Sequence, residues 1–297
     1  MALKEVSKEE YLLAGHAACA GCAASLSIRL TYKVLGRRTV FIIPACCSTV
    51  IEGPFPHTSF ASPLLNVAFE TTAAVASGVV AALKRRKIKD ATVVGWAGDG
   101  GTADIGIQAL SGAAERNTDF IYICYDNEAY GNTGFQRSSA SPYGSWTTTT
   151  PSGKKEHKKN VPMIMAAHGI PYVATASPSY PLDMISKLKK AKQMHGTRYI
   201  QILAPCSPGW RYPTEKTIEM GRMAVLTGMW ALFEVEHGKF RLNNPSASLV
   251  DKARRKSVEE YLRMQGRFRS LTKEDIGTIQ RWIDETWENY SLLGNMH

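Results

Sequence analysis

The tetrapeptide Gly98-Asp99-Gly100-Gly101 follows one short apolar run, and Asn127 follows a second, twenty-eight residues after Asp99. Asp99 offers a carboxylate oxygen, Asn127 a side-chain amide oxygen, and Ala129 a backbone carbonyl oxygen. These are donors for a hard divalent cation such as Mg²⁺, which prefers octahedral oxygen ligands and keeps some from phosphate and water. Glycines at 98, 100 and 101 would let the backbone approach phosphate groups, and a helix starting just beyond would favour their charge. A bare Gly-Asp-Gly-Gly is commonly only a tight strand-to-helix turn. The asparagine at the end of the next apolar run makes it a candidate diphosphate and metal site.

The cysteines form a second constellation. His16-x-x-Cys19-x-x-Cys22 lies near the start, Cys46-Cys47 ends the apolar run Thr39–Ile43, and Cys206 stands in Ala204-Pro205-Cys206-Ser207-Pro208-Gly209-Trp210. Four thiolates gathered in this way suit either Zn²⁺ or a [4Fe-4S] cluster. Cys19 and Cys22 would come from one tight turn. Cys46 and Cys47 compete for the third place, because adjacent side chains on an extended strand point to opposite faces; we take Cys47. Cys124, inside an apolar run, reads as a small buried hydrophobe, and His16 as a hydrogen-bonding neighbour of the site. Six cysteines and no evident secretory leader argue for metal or redox chemistry in the cytoplasm rather than structural disulfides.

Elements must bring these residues together. Thr39–Ile43, Thr92–Ala97, Phe120–Tyr125, Tyr172–Thr175 and Tyr199–Leu203 read as strands. Between them Ala23–Leu35, Thr71–Arg85, Ile105–Arg116 and Tyr180–Met194 read as helices. That alternation predicts an α/β fold, a doubly wound, mostly parallel sheet with helices on both faces. Ligands of such sheets bind beyond the carboxyl ends of the strands, where both constellations fall. The polar stretch from Asn132 to Asn160 is long for a loop and reads as an ordered active-site or interface segment. Beyond about Pro213 the chain reads as helical and charged. We expect residues 1–225 to form a cofactor-binding domain, and 226–297 a C-terminal helical arm that contacts partner chains.

Lys and Arg outnumber Asp and Glu by 36 to 26, a net charge of +10. Part of the excess lies in runs: Lys84, Arg85, Arg86, Lys87; Lys154, Lys155, Lys158, Lys159; and Lys187, Lys189, Lys190, Lys192. Such runs read as solvated surface, or as a basic face steering an acidic protein. No recognition motif points to nucleic acid, and the longest apolar stretch is too short to cross a membrane.

Taken in order, GHAACAGC, PACCSTV, FETTAAVASGVVAALK, GDGGTADIG, YDNEAYGNTGFQRSSASPYGSWTTTTPSGK and APCSPGW resemble the β subunit of the pyruvate:ferredoxin oxidoreductases, within the 2-oxoacid:ferredoxin oxidoreductase family. The resemblance spans roughly residues 11 to 211. It implies the thiamine-diphosphate-binding fold, with thiamine diphosphate and Mg²⁺ held through Asp99, Asn127 and the Ala129 carbonyl. It implies a [4Fe-4S] cluster on Cys19, Cys22, Cys47 and Cys206, and places Asn132 and Thr133 beside the cofactor, with Asn132 near the reacting 2-oxoacid. The implied reaction is oxidative decarboxylation of pyruvate to acetyl-CoA and CO₂, with electrons passed to ferredoxin. It would require α, γ and ferredoxin-like δ subunits, the α subunit supplying the cofactor-activating glutamate; Glu70 reads instead as a helix N-terminal or interface residue. The NTG-x-QRS loop resembles pyruvate-type members more than 2-oxoglutarate or branched-chain ones. Cys46 stands where a glycine commonly precedes the cluster cysteine. An oxalate-using relative shares much of the pattern, and a non-redox thiamine enzyme or an assembly subunit with structural zinc are the competing readings.

Overall fold

The computed structural model describes residues 6–295; the ends of the two expected domains, residues 1–5 and 296–297, lie outside them. Alternation begins with α1 (Ala23–Leu35), β1 (Thr39–Pro44), α2 (Cys47–Glu52), β2 (Leu64–Val67), α3 (Thr72–Arg85) and β3 (Thr92–Gly98). It continues through α4 (Ile107–Glu115), β4 (Phe120–Asp126), α5 (Val161–Ala167), β5 (Tyr172–Ala176), α6 (Pro181–Gln193) and β6 (Thr197–Leu203). The short α7 (Ser207–Trp210) and α8 (Thr217–Leu226) lead to β7 (Phe233–Glu236), β8 (Lys239–Leu242), α9 (Val258–Arg263) and α10 (Lys273–Asn295).

The strands form one sheet in the order β2-β1-β3-β4-β6-β5-β7-β8. Six run parallel, and β7 and β8 add an antiparallel edge. Strand alternation splits the core in two. Phe120, Tyr122 and Cys124 of β4 face one layer with α3, α4 and α10. Ile121, Ile123 and Tyr125 face the other, with α1 and α6. Both faces are covered, so β4 is buried along its whole length. Each large apolar side chain fully removed from water there contributes roughly 1.5–3 kcal/mol.

The chain leaves β1 to pair β2 on one side, then returns to place β3 on the other. That reversal opens a crevice above the carboxyl ends of β1, β3 and β4.

The expected helical stretch after Pro213 is present in α8, α9 and α10, interrupted by a hairpin that was not expected. Phe233–Glu236 and Lys239–Leu242 form a hairpin whose two turn residues, His237 and Gly238, both have positive φ (49° and 81°), as a two-residue hairpin turn requires. Within residues 226–295 these two strands extend the same sheet. Buried Tyr261, Phe268, Ile283 and Trp287 of that stretch join the core of the preceding residues. β2 was not foreseen: it is a four-residue edge strand with Leu65 and Asn66 exposed, too short to show alternation.

Candidate active site

Gly98 ends β3, and Asp99 caps a π-helical turn, Gly100–Asp104, that precedes α4. The motif therefore enters a wide turn before its α-helix, a local geometry frequent at functional sites. Gly100 is required there: a Cβ would stand 2.4 Å from the Tyr130 ring. Tyr130 in turn donates to Asp104 Oδ2 at 2.7 Å.

Asn127 follows β4 directly. Its side-chain oxygen faces only acceptors, Asp99 Oδ1 at 2.9 Å and the Ala129 carbonyl at 2.7 Å. With that oxygen turned toward them, three oxygens on separate groups would form the inner face of a hard-cation site. Without a cation the amide would turn over and donate to both partners. Asp99 is 1% exposed. Burial, and next the neighbouring Asp126 carboxylate, push its carboxyl well above the usual range, the electrostatic strain that a bound cation relieves. Ser138 Oγ donates to the other Asp99 oxygen at 2.5 Å. The donor set present fits Mg²⁺.

The turn behind these oxygens is buried and charged. Lys158 Nζ lies 3.1 Å from Asp126 Oδ2 and 2.7 Å from Glu128 Oε1, and Arg267 Nη2 lies 2.6 Å from Glu128 Oε2. Burial alone would raise the Glu128 carboxyl, but Lys158 and Arg267 hold it below its ordinary range. Lys154 is 1% exposed and donates to the Ser139 and Ser141 carbonyls at 3.0 and 2.7 Å. Lys187 is likewise buried, 2.8 Å from Asp183. Two of the three basic runs therefore place lysines inside the fold, where they cannot steer a partner.

In front of Asn127 a cavity of about 390 Å³ is lined by Gly98, Gly100, Gly101, Asn127, Ala129, Asn132 and Thr133, and by Cys46, Cys47, Phe69 and Tyr130. Asn132 and Thr133 are exposed at its mouth. Phe69 is on its wall; Glu70 lies in the turn before α3 and does not line it. A second cavity, about 200 Å³, is lined by Cys19, Cys22, Cys47 and Cys206 together. The two share Cys47, Val50, Asn127, Gly131 and Asn132.

Three chain segments deliver the four thiols. Cys22 N donates to the Cys19 carbonyl at 3.1 Å in the tight turn that starts α1. Gly21 within it has φ +69°, and a Cβ there would stand 2.3 Å from the Thr214 carbonyl. Cys206 follows β6 at the N-cap of α7. Cys46 and Cys47 do not end a strand: β1 stops at Pro44, Cys46 caps α2, and Cys47 is its first residue. Helix geometry, not strand alternation, sends their side chains different ways, so that Cys47 reaches both cavities and Cys46 only the first. Burial first, and then Cys206, Cys46, Cys22 and Cys19, push the Cys47 thiol up to about 12. Burial does the same for Cys206. Thiols so placed ionise together only around a cationic centre.

Among the described residues no three His, Cys, Asp or Glu side chains close on a single metal ion. A cubane cluster, in which each iron takes one thiolate at its own corner, asks for a spread-out set instead. The thiols present fit such a cluster. Cys124 is buried in the core. His16 is exposed, accepts from Ala18 N at 3.4 Å, and does not line the thiol cavity.

Several site residues lay beyond sequence reasoning. Ser138, Lys158, Arg267 and Trp210, whose Nε1 donates to the Asn127 carbonyl at 2.8 Å, sit far along the chain from what they touch. Only the length and polarity of the 132–160 segment signalled the first two.

The chain is similar to known proteins over most of its length. Residues 47–202 match the family of thiamine pyrophosphate enzymes through its C-terminal TPP binding domain. The chain is 54% identical to the ketoisovalerate oxidoreductase subunit VorB of Pyrococcus furiosus, over 97% of this chain and 94% of that one. It is 53% identical to the pyruvate synthase subunit PorB of Methanothermobacter thermautotrophicus, over 97% of this chain and 100% of that one. A chain of the 2-oxoglutarate:ferredoxin oxidoreductase of Magnetococcus marinus shares the fold, with a TM-score of 0.57 and 23% identity over 73% of this chain and 78% of that one.

Proposed function

The chain belongs to the thiamine pyrophosphate enzymes and, within them, to the β subunits of the 2-oxoacid:ferredoxin oxidoreductases, and from that premise we propose that it is the half of a pyruvate:ferredoxin oxidoreductase that holds both thiamine diphosphate and a [4Fe-4S] cluster. The supporting observation is the shared wall: Cys47, Asn127 and Asn132 line the diphosphate cavity and the thiol cavity alike. When bound, thiamine diphosphate supplies a nucleophilic carbon and an electron sink for decarboxylation, and a cluster alongside accepts the electrons.

The chain's own groups bind and orient. Asp99, Asn127 and the Ala129 carbonyl are assigned to Mg²⁺; Gly98, Gly100 and Gly101 admit the diphosphate close to the backbone. Asn132 and Thr133 stand at the mouth, where Asn132 can hydrogen-bond an incoming 2-oxoacid. Cys19, Cys22, Cys47 and Cys206 are assigned to the cluster. The mouth is open to solvent on the side of Val50, Asn132 and Thr133, which suits closure by an α subunit that also supplies the activating glutamate. Partner γ and ferredoxin-like δ subunits, coenzyme A and ferredoxin complete the assignment.

The loop from Asn132 to Ser138 places pyruvate first. A relative named for ketoisovalerate is as similar as one named for pyruvate, 54% against 53%, so 3-methyl-2-oxobutanoate is the second reading. The test is the visible spectrum of the complex, purified without oxygen, as each 2-oxoacid is added with coenzyme A. Bleaching of a brown protein by pyruvate supports the assignment; bleaching by 3-methyl-2-oxobutanoate alone transfers it to the branched-chain acid. A colourless, zinc-bearing protein ends the electron-transfer reading.

A further inference from the structure

Glu128 separates the two residues assigned to the metal, Asn127 and Ala129, and its backbone is left-handed, with φ +64°. A residue with a full side chain stays in that region only when its surroundings hold it there. Glu128 is 4% exposed. One carboxylate oxygen accepts from Lys158 Nζ at 2.7 Å, the other from Arg267 Nη2 at 2.6 Å. Its amide donates to Asp126 Oδ1 at 3.0 Å and its carbonyl accepts from Ser141 Oγ at 2.7 Å.

Each cation also braces a neighbouring group. Lys158 donates to Asp126 Oδ2, which accepts from Gln201 Nε2 at 2.7 Å as well. The Arg267 guanidinium lies 3.9 Å from the centre of the Trp210 ring, the same indole that holds the Asn127 carbonyl. Neither cation lines the cofactor cavity. Their ion pairs are with the turn and with Asp126 just before it.

We infer that Lys158 and Arg267 are positioning residues for the metal: by clamping Glu128 they hold the left-handed turn that aims the Asn127 amide oxygen and the Ala129 carbonyl at the point Asp99 faces. The inference rests on the metal reading of Asp99, Asn127 and Ala129 given above. Groups that orient metal ligands in this way commonly set affinity by about 10- to 100-fold.

The test uses the intact complex, with Mn²⁺ in place of Mg²⁺ and thiamine diphosphate present, its binding followed by electron paramagnetic resonance. Arg267→Met keeps the alkyl stem against Trp210 and removes the charge; it is expected to weaken Mn²⁺ about tenfold. The rate should return at saturating metal, so that the apparent KM for the metal rises while kcat holds. Arg267→Lys should bind Mn²⁺ more tightly than Arg267→Met. Glu128→Gln, which keeps the shape and is the mildest change to the fold, should weaken Mn²⁺ in the same direction. Wild-type Mn²⁺ affinity in both Arg267→Met and Glu128→Gln, whatever their unfolding temperatures, overturns the inference and leaves the ion pairs purely structural. Asp99→Asn separates the premise: if it binds Mn²⁺ as the wild type does, the metal reading itself fails, and the inference with it.

Discussion

The two halves of the site are built by opposite means. On the diphosphate side the Asn127 amide lies 2.9 Å from Asp99 Oδ1 and 2.7 Å from the Ala129 carbonyl, and Ser138, Trp210 and the Glu128 ion pairs fix the groups that carry these atoms. On the thiol side Cys19 is exposed, Cys22, Cys47 and Cys206 are half-buried, and the four side chains share only a cavity wall. Oxygen ligands of a small hard cation need to be preorganised, because the ion demands near-ideal geometry. Thiolates repel one another until a metal joins them, so a fold can gather thiols and leave the group itself to fix their final positions.

The largest expected effect lies on the oxygen side. Asp99→Ala should lower activity of the complex by about a thousandfold, since charge stabilisation by a bound metal is worth several kcal/mol, while the visible spectrum of the oxidised protein is unchanged. Metal-binding assays and the spectrum on one preparation check both halves. Cys206→Ala should do the reverse. Iron and brown colour fall to background, and Mn²⁺ affinity falls far less than in Asp99→Ala, because Cys206 lines the thiol cavity alone. Cys46→Ser should keep its iron, because Cys46 lines only the diphosphate cavity; iron loss in it would redraw the thiol set.

A smaller effect is expected of Gly100→Ala. The new methyl would drive the Tyr130 ring from its contact with Asp104, and overpacking of about 1–3 kcal/mol corresponds to about tenfold weaker thiamine diphosphate binding. Titration of cofactor into the depleted complex reads this directly. The mildest test is chemical. In cluster-depleted protein, burial holds the thiols of Cys47 and Cys206 up at about 12. Only the thiolate reacts, so their alkylation should quicken about tenfold for each pH unit between 7 and 9. Exposed Cys19 should label first, as mass spectrometry would show. Equal labelling of all three at pH 7 would mean that the thiol pocket opens once empty.

The strand-helix alternation was legible because buried parallel strands such as Phe120–Asp126 are continuous apolar runs between amphipathic helices. The hairpin at Phe233–Leu242 was not read, because each strand has only four residues and its charged residues resemble a helix surface. The chemistry-bearing residues could be picked out from type and spacing alone: Asp99, Asn127 and the cysteines carry functional groups that few other residues can supply. Tertiary structure alone decided what holds them. Ser138 meets Asp99, and Lys158 and Arg267 meet Glu128. Such contacts depend on where separate segments land on one sheet edge, and no local pattern encodes a partner 139 residues away. The sequence by itself determined which atoms could do chemistry, because side-chain type sets donor and charge. Folding decided which of them meet, because burial and pairing are properties of the whole chain.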